Sequence, residues 1–328
     1  MTRTFASGTA LLAAAVLIAG CGTSTAQTTQ PDSHGLVHIA VGVSPTTASI
    51  PVYLAQHEQA FAAAGLQVDL STIQSGAEAV PRLLNGSLDI ALGDAVGTTQ
   101  SAGNGVPLRI VGVATIAPTT AAKDYSAIVA APGSHIAGAT GLNGRTIAVN
   151  QLNGIAELTT KAAIDALHGN SATVKFIELP FSQMPAAVKA GRVDAALIAE
   201  PYLTQAKDEG LSAVLAPQAY ALPGLPTTII VAASSYATQN SATIAKFLDV
   251  ISAAGTKADN DPSAGRAVAG FTQLPPNVLN AITLPVYAGH AADTSGMNQL
   301  IALMNKYAML AHQPDRAVLL GGSAKATP

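Results

Sequence analysis

Two carboxylates, Asp94 and Glu200, stand where a short apolar run gives way to a helical pattern. The first follows Leu88–Leu92 and Gly93; the second follows Val193–Ala199 and opens Glu200-Pro201-Tyr202. Three further loops hold small hydroxyls and amides at comparable places: Ser44-Pro45-Thr46-Thr47, Gln74-Ser75-Gly76 and Asn150-Gln151-Leu152-Asn153-Gly154. In open α/β sheets ligands sit outside the carboxyl ends of the strands, and that rule selects these five loops. The candidate binding residues are therefore Ser44, Thr46, Thr47, Gln74, Ser75, Gly76, Asp94, Asn150, Gln151, Asn153, Gly154, Glu200 and Tyr202. None of these loops contains Arg or Lys. A strong anion usually wants a bidentate Arg, so a sulfonate or nitrate would rely on helix N-termini ahead of Gly76 and Gly154. Carboxylates and amides suit a ligand with N–H donors. Asp94 and Glu200 also suit a plainer role, as first-turn acids complementing a helix dipole.

The elements that position these loops are written twice. Val80-Pro81-Arg82-Leu83-Leu84-Asn85-Gly86-Ser87-Leu88-Asp89-Ile90-Ala91-Leu92 aligns with Pro185-Ala186-Ala187-Val188-Lys189-Ala190-Gly191-Arg192-Val193-Asp194-Ala195-Ala196-Leu197. Each copy reads as an amphipathic helix, a glycine stop and a short buried strand. Asp89 and Asp194 fit a structural role at the strand edge. Upstream, Ile39-Ala40-Val41 pairs with Ile147-Ala148-Val149, each ending a strand before a polar loop. Two βαβαβ modules follow, and their strand–helix alternation predicts parallel sheets. Between the modules lie a polar stretch near 117–124, a crossing strand at Tyr125–Ala131, and a Pro/Gly-rich linker at Pro217–Pro226. Thr227–Ala233 reads as a return strand. From Ser241 to Ala311 the pattern is helical, irregular over 275–295, and the tail after Gly321 reads as disordered.

Residues 1–20 read as an export signal: Arg3 gives the positive start and Leu11–Ile18 the apolar stretch. Ile18-Ala19-Gly20-Cys21 resembles a bacterial lipobox, which makes Cys21 the expected lipidation site. Two acyl chains anchor stably where one would not. Cys21 is the sole cysteine, so no intrachain disulfide or multi-cysteine metal site can form. Residues 21–35 are rich in Thr, Ser and Gln and read as a flexible tether. Nothing beyond the signal is long and apolar enough to span a bilayer. Composition is 49% hydrophobic with a net charge of −3, few aromatics and no Trp. That argues against a nucleic-acid surface, which wants a basic face and stacking rings.

Taken in order, Pro51-x-Tyr53-x-Ala55, Phe61, Gly65-Leu66-x-Val68 and Gly86-x-Leu88-Asp89-x-Ala91 resemble the first lobe of type II periplasmic solute-binding proteins. Leu142-Asn143-Gly144-Arg145-Thr146-Ile147-Ala148-Val149 and Ala190–Ala196 with Glu200-Pro201 resemble the second lobe. The branch resembled is that of sulfonate, taurine, nitrate and thiamine-pyrimidine binders of ABC importers, over nearly all of residues 36–320. The resemblance implies an α/β fold of two βα lobes joined by two crossing strands around a ligand cleft. Lobe I would comprise 36–118 plus 232–328, and lobe II 119–231. It also implies a monomeric, lipid-anchored protein on the extracytoplasmic face of the cell membrane. Such a protein closes by hinge motion on a small molecule and delivers it to a membrane permease.

Two rivals use the same fold: an enzyme like the thiamine-pyrimidine synthases, and a ligand-sensing lipoprotein. Those synthases carry a cysteine-rich motif, absent here. The seven histidines (His34, His38, His57, His135, His168, His290 and His312) form no HxxxH pair, and no G-x-S-x-G occurs. No catalytic residue, metal or cofactor is expected.

Overall fold

The computed structural model describes residues 31–272, 275–290 and 294–321. The export signal, Cys21, most of the tether and the tail after Gly321 lie outside the described residues. Residues 31–35 are a closed turn rather than a leash, with Asp32 Oδ1 accepting from the backbone N–H groups of His34 at 2.7 Å and Leu36 at 3.0 Å.

Eleven strands are described: β1 Val37–Val43, β2 Leu66–Thr72, β3 Ile90–Asp94, β4 Leu108–Ile116, β5 Ser126–Ala130, β6 Thr146–Val149, β7 Lys175–Glu178, β8 Ala195–Ala199, β9 Ser212–Leu215, β10 Pro226–Ala233 and β11 Val286–His290. They form two sheets. The first has the order β11-β4-β10-β3-β1-β2, and the second β7-β6-β8-β5-β9. Apart from β11, the two orders are the same arrangement used twice.

Neither sheet is wholly parallel, contrary to the strand–helix expectation. β10 runs antiparallel to β3 and β4, and β5 runs antiparallel to β8 and β9. The reason is topological. Each of these strands is where the chain arrives from the other unit, so it starts at the end where its parallel neighbours finish. The return also comes earlier than expected, since β10 joins the first sheet from Pro226 rather than from residue 232. Tyr125–Ala131 is likewise not a free crossing, because β5 sits inside the second sheet.

The first half of the first unit contains α1 Ile50–His57, α2 Ala60–Ala63, α3 Gly76–Leu84 and α4 Ala95–Gly103. α1 and α2 are separated at Gln59, which sits at φ +57°. The second unit contains α5 Ile155–Ala166, α6 Met184–Lys189, α7 Tyr202–Asp208 and α8 Pro217–Ala221, the last within the expected linker. The chain then completes the first unit with α9 Ser234–Gln239, α10 Ser241–Asn260, α11 Pro262–Ala267, α12 Pro276–Ala281, α13 Thr294–Lys306 and α14 Arg316–Leu319. Phe247 of α10 is fully buried and stacks on Phe61 of α2 at 5.5 Å, so the late helices seal the early strands. β11, in the stretch expected to be irregular, extends the first sheet by pairing with β4.

The repeated phrase has an equally repeated physical role. Gly86 and Gly191 take φ +77° and +65°, the left-handed turn that stops α3 and α6. Three residues on, Asp89 exchanges with Ala40: its N–H donates to the Ala40 carbonyl at 2.9 Å and its carboxylate accepts from the Ala40 N–H at 2.8 Å. Asp194 does the same with Thr146, at 3.0 and 2.8 Å. The strand register pairs Val41 with Ile90 and Ile147 with Ala195. The true equivalents are therefore Val41 and Ile147, two residues away from the alignment suggested by the Ile-Ala-Val triplets. An even offset keeps the same face inward, which is why the triplets looked alike.

Replacing Asp89 or Asp194 by Ala strands one edge N–H, at a cost of about 1–3 kcal/mol each. Because the two sites lie in different sheets, the costs should add in the double variant. Urea unfolding of the three variants checks this; losses near zero would show that the repeated aspartates are incidental.

Candidate functional site: the cleft between the sheets

A cavity of about 90 Å³ lies between the two units, several times the space one water needs. From the first unit it is walled by Ser44, Thr46, Gln74, Ser75, Gly76 and Asp94, and from the second by Asn150 and Gln151. These eight residues come from the loops selected by sequence. Apolar wall is supplied by Ile73, Leu92, Ile155, Phe181 and Leu197 among others.

The five other expected residues do not reach the wall. Thr47 is fully buried, with its N–H on the Glu200 carbonyl at 3.1 Å and its own carbonyl taken by the Tyr287 hydroxyl at 2.8 Å. Asn153 is exposed in a left-handed turn and donates to Glu157. Gly154 is the residue ahead of α5, behind Gln151. Tyr202 lies behind Phe181, ring centroids 6.3 Å apart.

Glu200 is 1% exposed and its carboxylate is spent on the Thr204 N–H, the Thr204 hydroxyl and the Thr283 N–H. Its burial pushes the carboxyl above the ordinary range. The register explains the failure. With Asp89 equivalent to Asp194, the counterpart of Asp94 is Ala199, which does line the cavity. Glu200 is one residue further on, and one residue turns a side chain to the opposite face.

Sequence reasoning missed Tyr125, Ser126, Phe181, Gln218, Thr227 and Thr228, all on the wall. The carboxyl-end rule covers parallel strands. β5 and β10 are antiparallel, so they bring their first residues to the cleft, Ser126 in one and Thr227 and Thr228 in the other. Phe181, in the loop after β7, was within the rule's reach.

Across the cavity, each unit holds the start of a helix in the other. Asp94 Oδ2 accepts from the Ile155 N–H at 2.8 Å, at the N-terminus of α5, while Oδ1 accepts from Gly97 N–H at 2.7 Å in its own helix α4. In the reverse direction, Gln151 Oε1 accepts from the Gly76 N–H at 2.9 Å, at the start of α3. By ordinary hydrogen-bond values the neutral Gln151 contact contributes about 1 kcal/mol across the cleft. Burial of the Asp94 carboxylate outweighs these bonds and raises its pKa. The ionised group therefore costs stability above that raised pKa, and the cost disappears as pH falls below the ordinary carboxylate value.

Gly97 makes this geometry possible. A Cβ there would collide with the Gln151 amide nitrogen. On a helix Ala is otherwise the better residue by about 1 kcal/mol.

The family model described as "NMT1/THI5 like" matches residues 46–264, about two thirds of the chain. The chain belongs to the NMT1/THI5-like family. The match starts at Thr46 on the cleft wall and runs through both units into α11. No curated protein matches this NMT1/THI5-like chain in sequence. Among solved structures it is similar to the periplasmic aliphatic sulphonate binding protein SsuA from Escherichia coli (20% identity, 86% of this chain and 97% of that one, TM-score 0.71). It is also similar to the periplasmic nitrate-binding protein NrtA from Synechocystis (13% identity, 84% and 83%, TM-score 0.68). A third similar structure is a Candida albicans protein whose family shows the generic periplasmic binding protein fold (15% identity, 86% and 94%, TM-score 0.69). At these identities the likeness is one of fold, and the NMT1/THI5-like chain has the periplasmic-binding-protein fold.

Gly97→Ala should leave α4 intact, expel the Gln151 amide and free the Gly76 N–H. Amide hydrogen exchange at Gly76 checks it: faster exchange is expected, and unchanged protection would show that Gln151 does not hold α3.

Proposed function

We propose that this protein is the extracytoplasmic substrate-binding component of an ABC importer, closing by hinge motion on a small polar organic molecule. The observation that carries the reading is the cavity between two like-built sheets, walled from both sides and bridged by Asp94 and Gln151. Interdomain clefts of this kind are where small ligands bind. The fold relatives named for sulphonate and nitrate binding support the same class of activity.

In this reading Cys21, behind the export signal, carries the lipid that tethers a monomer to the outer face of the cell membrane, and the closed form docks on a permease. No helix among the described residues is long and apolar enough to cross a membrane, which accords with a tether. The hinge is formed by residues 117–125 and 216–225, where the chain passes between the units. Ser44, Thr46, Gln74, Ser75, Asp94, Asn150 and Gln151 contact the ligand. Among the described residues, the titratable side chains on the wall are Asp94 and Tyr125, with no Cys, His or Lys beside a hydroxyl.

A thermal-shift screen over amines, sulfonates and pyrimidines should give at least one compound that raises Tm, since one-site binding stabilises by RT ln(1 + [L]/Kd). Small-angle scattering with that compound should show compaction. A screen without a hit, or saturation without compaction, contradicts the reading; turnover of the compound would move the protein to the enzyme class.

A further inference from the structure

Three helices of eight residues or more, α3, α4 and α5, start at the cleft, and backbone N–H groups at such starts are ordinary seats for an anion. At each of these starts the protein itself takes one N–H. Gln151 Oε1 holds the first N–H of α3, and Asp94 Oδ2 holds the first N–H of α5. Neither Lys, Arg nor His stands on the cavity wall among the described residues. An anion entering the cleft would face the Asp94 carboxylate with no cation to offset it and with one N–H of each helix start already used.

Acceptors, by contrast, remain. A carboxylate has about four lone-pair sites; Asp94 uses two of them on Gly97 and Ile155, and the Val96 N–H is also directed at it, which leaves room for a further donor. Gln218 is 5% exposed and stands on the wall, yet its side-chain Oε1 has no hydrogen-bond partner. The residue is pinned from behind, because its backbone N–H donates to Asp124 Oδ2 at 2.8 Å. A buried amide oxygen without a donor is costly unless something supplies one.

We propose that the cleft selects a small organic molecule bearing N–H donors, a protonated amine foremost, held by Asp94 and the Gln218 amide oxygen, and that it rejects organic anions. This rests on the substrate-binding reading and narrows its ligand class. Selection works by difference. The amine satisfies Gln218 and neutralises Asp94, while a sulfonate of equal size does neither.

The test uses the mature chain and three probes with one carbon skeleton: n-butylammonium, butyramide and butanesulfonate, followed by calorimetry or NMR titration. Native protein should bind n-butylammonium at least about tenfold tighter than butanesulfonate, with butyramide between. Gln218→Leu should weaken both nitrogen probes without altering the sulfonate. Asp94→Asn should remove the preference for the cation. If that variant fails to fold, the native series and Gln218→Leu decide alone. Butanesulfonate binding as tightly as n-butylammonium overturns the proposal, as does binding of none of the three at millimolar concentration. A sulfonate that binds and compacts the protein would overturn this selection while leaving the substrate-binding function standing.

Discussion

One carboxylate joins three parts of this protein. Asp94 ends a strand of the first sheet, caps the helix that follows it, and crosses the cleft to hold the first N–H of a helix in the other unit. Enclosing that charge costs free energy, and the raised pKa records it. The bonds to Gly97 and Ile155 recover only part of the cost. The contact between the units is thus held by a group that would gain from a counter-charge, and a clamp responsive to its ligand needs a balance of that kind. If the closed arrangement were already favoured by many kcal/mol, no ligand could shift it further.

The scaffold around this group is symmetric and the cleft is not. Asp89 and Asp194 make the same paired bonds to Ala40 and Thr146, and the sheets share one strand order. Yet at matching ends of β3 and β8 stand Asp94 and Ala199. The repeat supplies two similar walls, and departures from it supply the chemistry. Glu200, the acid that looked like the partner of Asp94, is displaced by one residue and works on Thr204 and Thr283 instead. It ties α7 to the segment before β11.

Much of this was legible in the sequence, and several of the parts that were not share a cause. Eight of the wall residues follow from locating strand ends by the apolar pattern. The glycine stops at Gly86 and Gly191 were readable because a left-handed residue favours one amino acid type. The parts with that shared cause depend on pairing between distant segments. The antiparallel direction of β5 and β10, and with it Ser126, Thr227 and Thr228, appears only when the chain is known to arrive from the opposite unit, whereas Gln218, just past the carboxyl end of β9, was within the rule's reach. β11 carries too short a pattern to stand apart from the helices on either side. The face of Glu200 was recoverable in principle, since aligning Asp89 with Asp194 already places it one position beyond Asp94.

The central claim is that two units swing on the segments 117–125 and 216–225 and meet through Asp94 and Gln151. The most direct measurement is the distance between spin labels on the exposed positions Ala77 and Leu152, one on each lip of the cleft, with Cys21 removed so that only the labelled sites carry thiols. The account predicts a short and a long distance in the free protein, with ligand driving the population to the short one. A single distance that no ligand moves would contradict it.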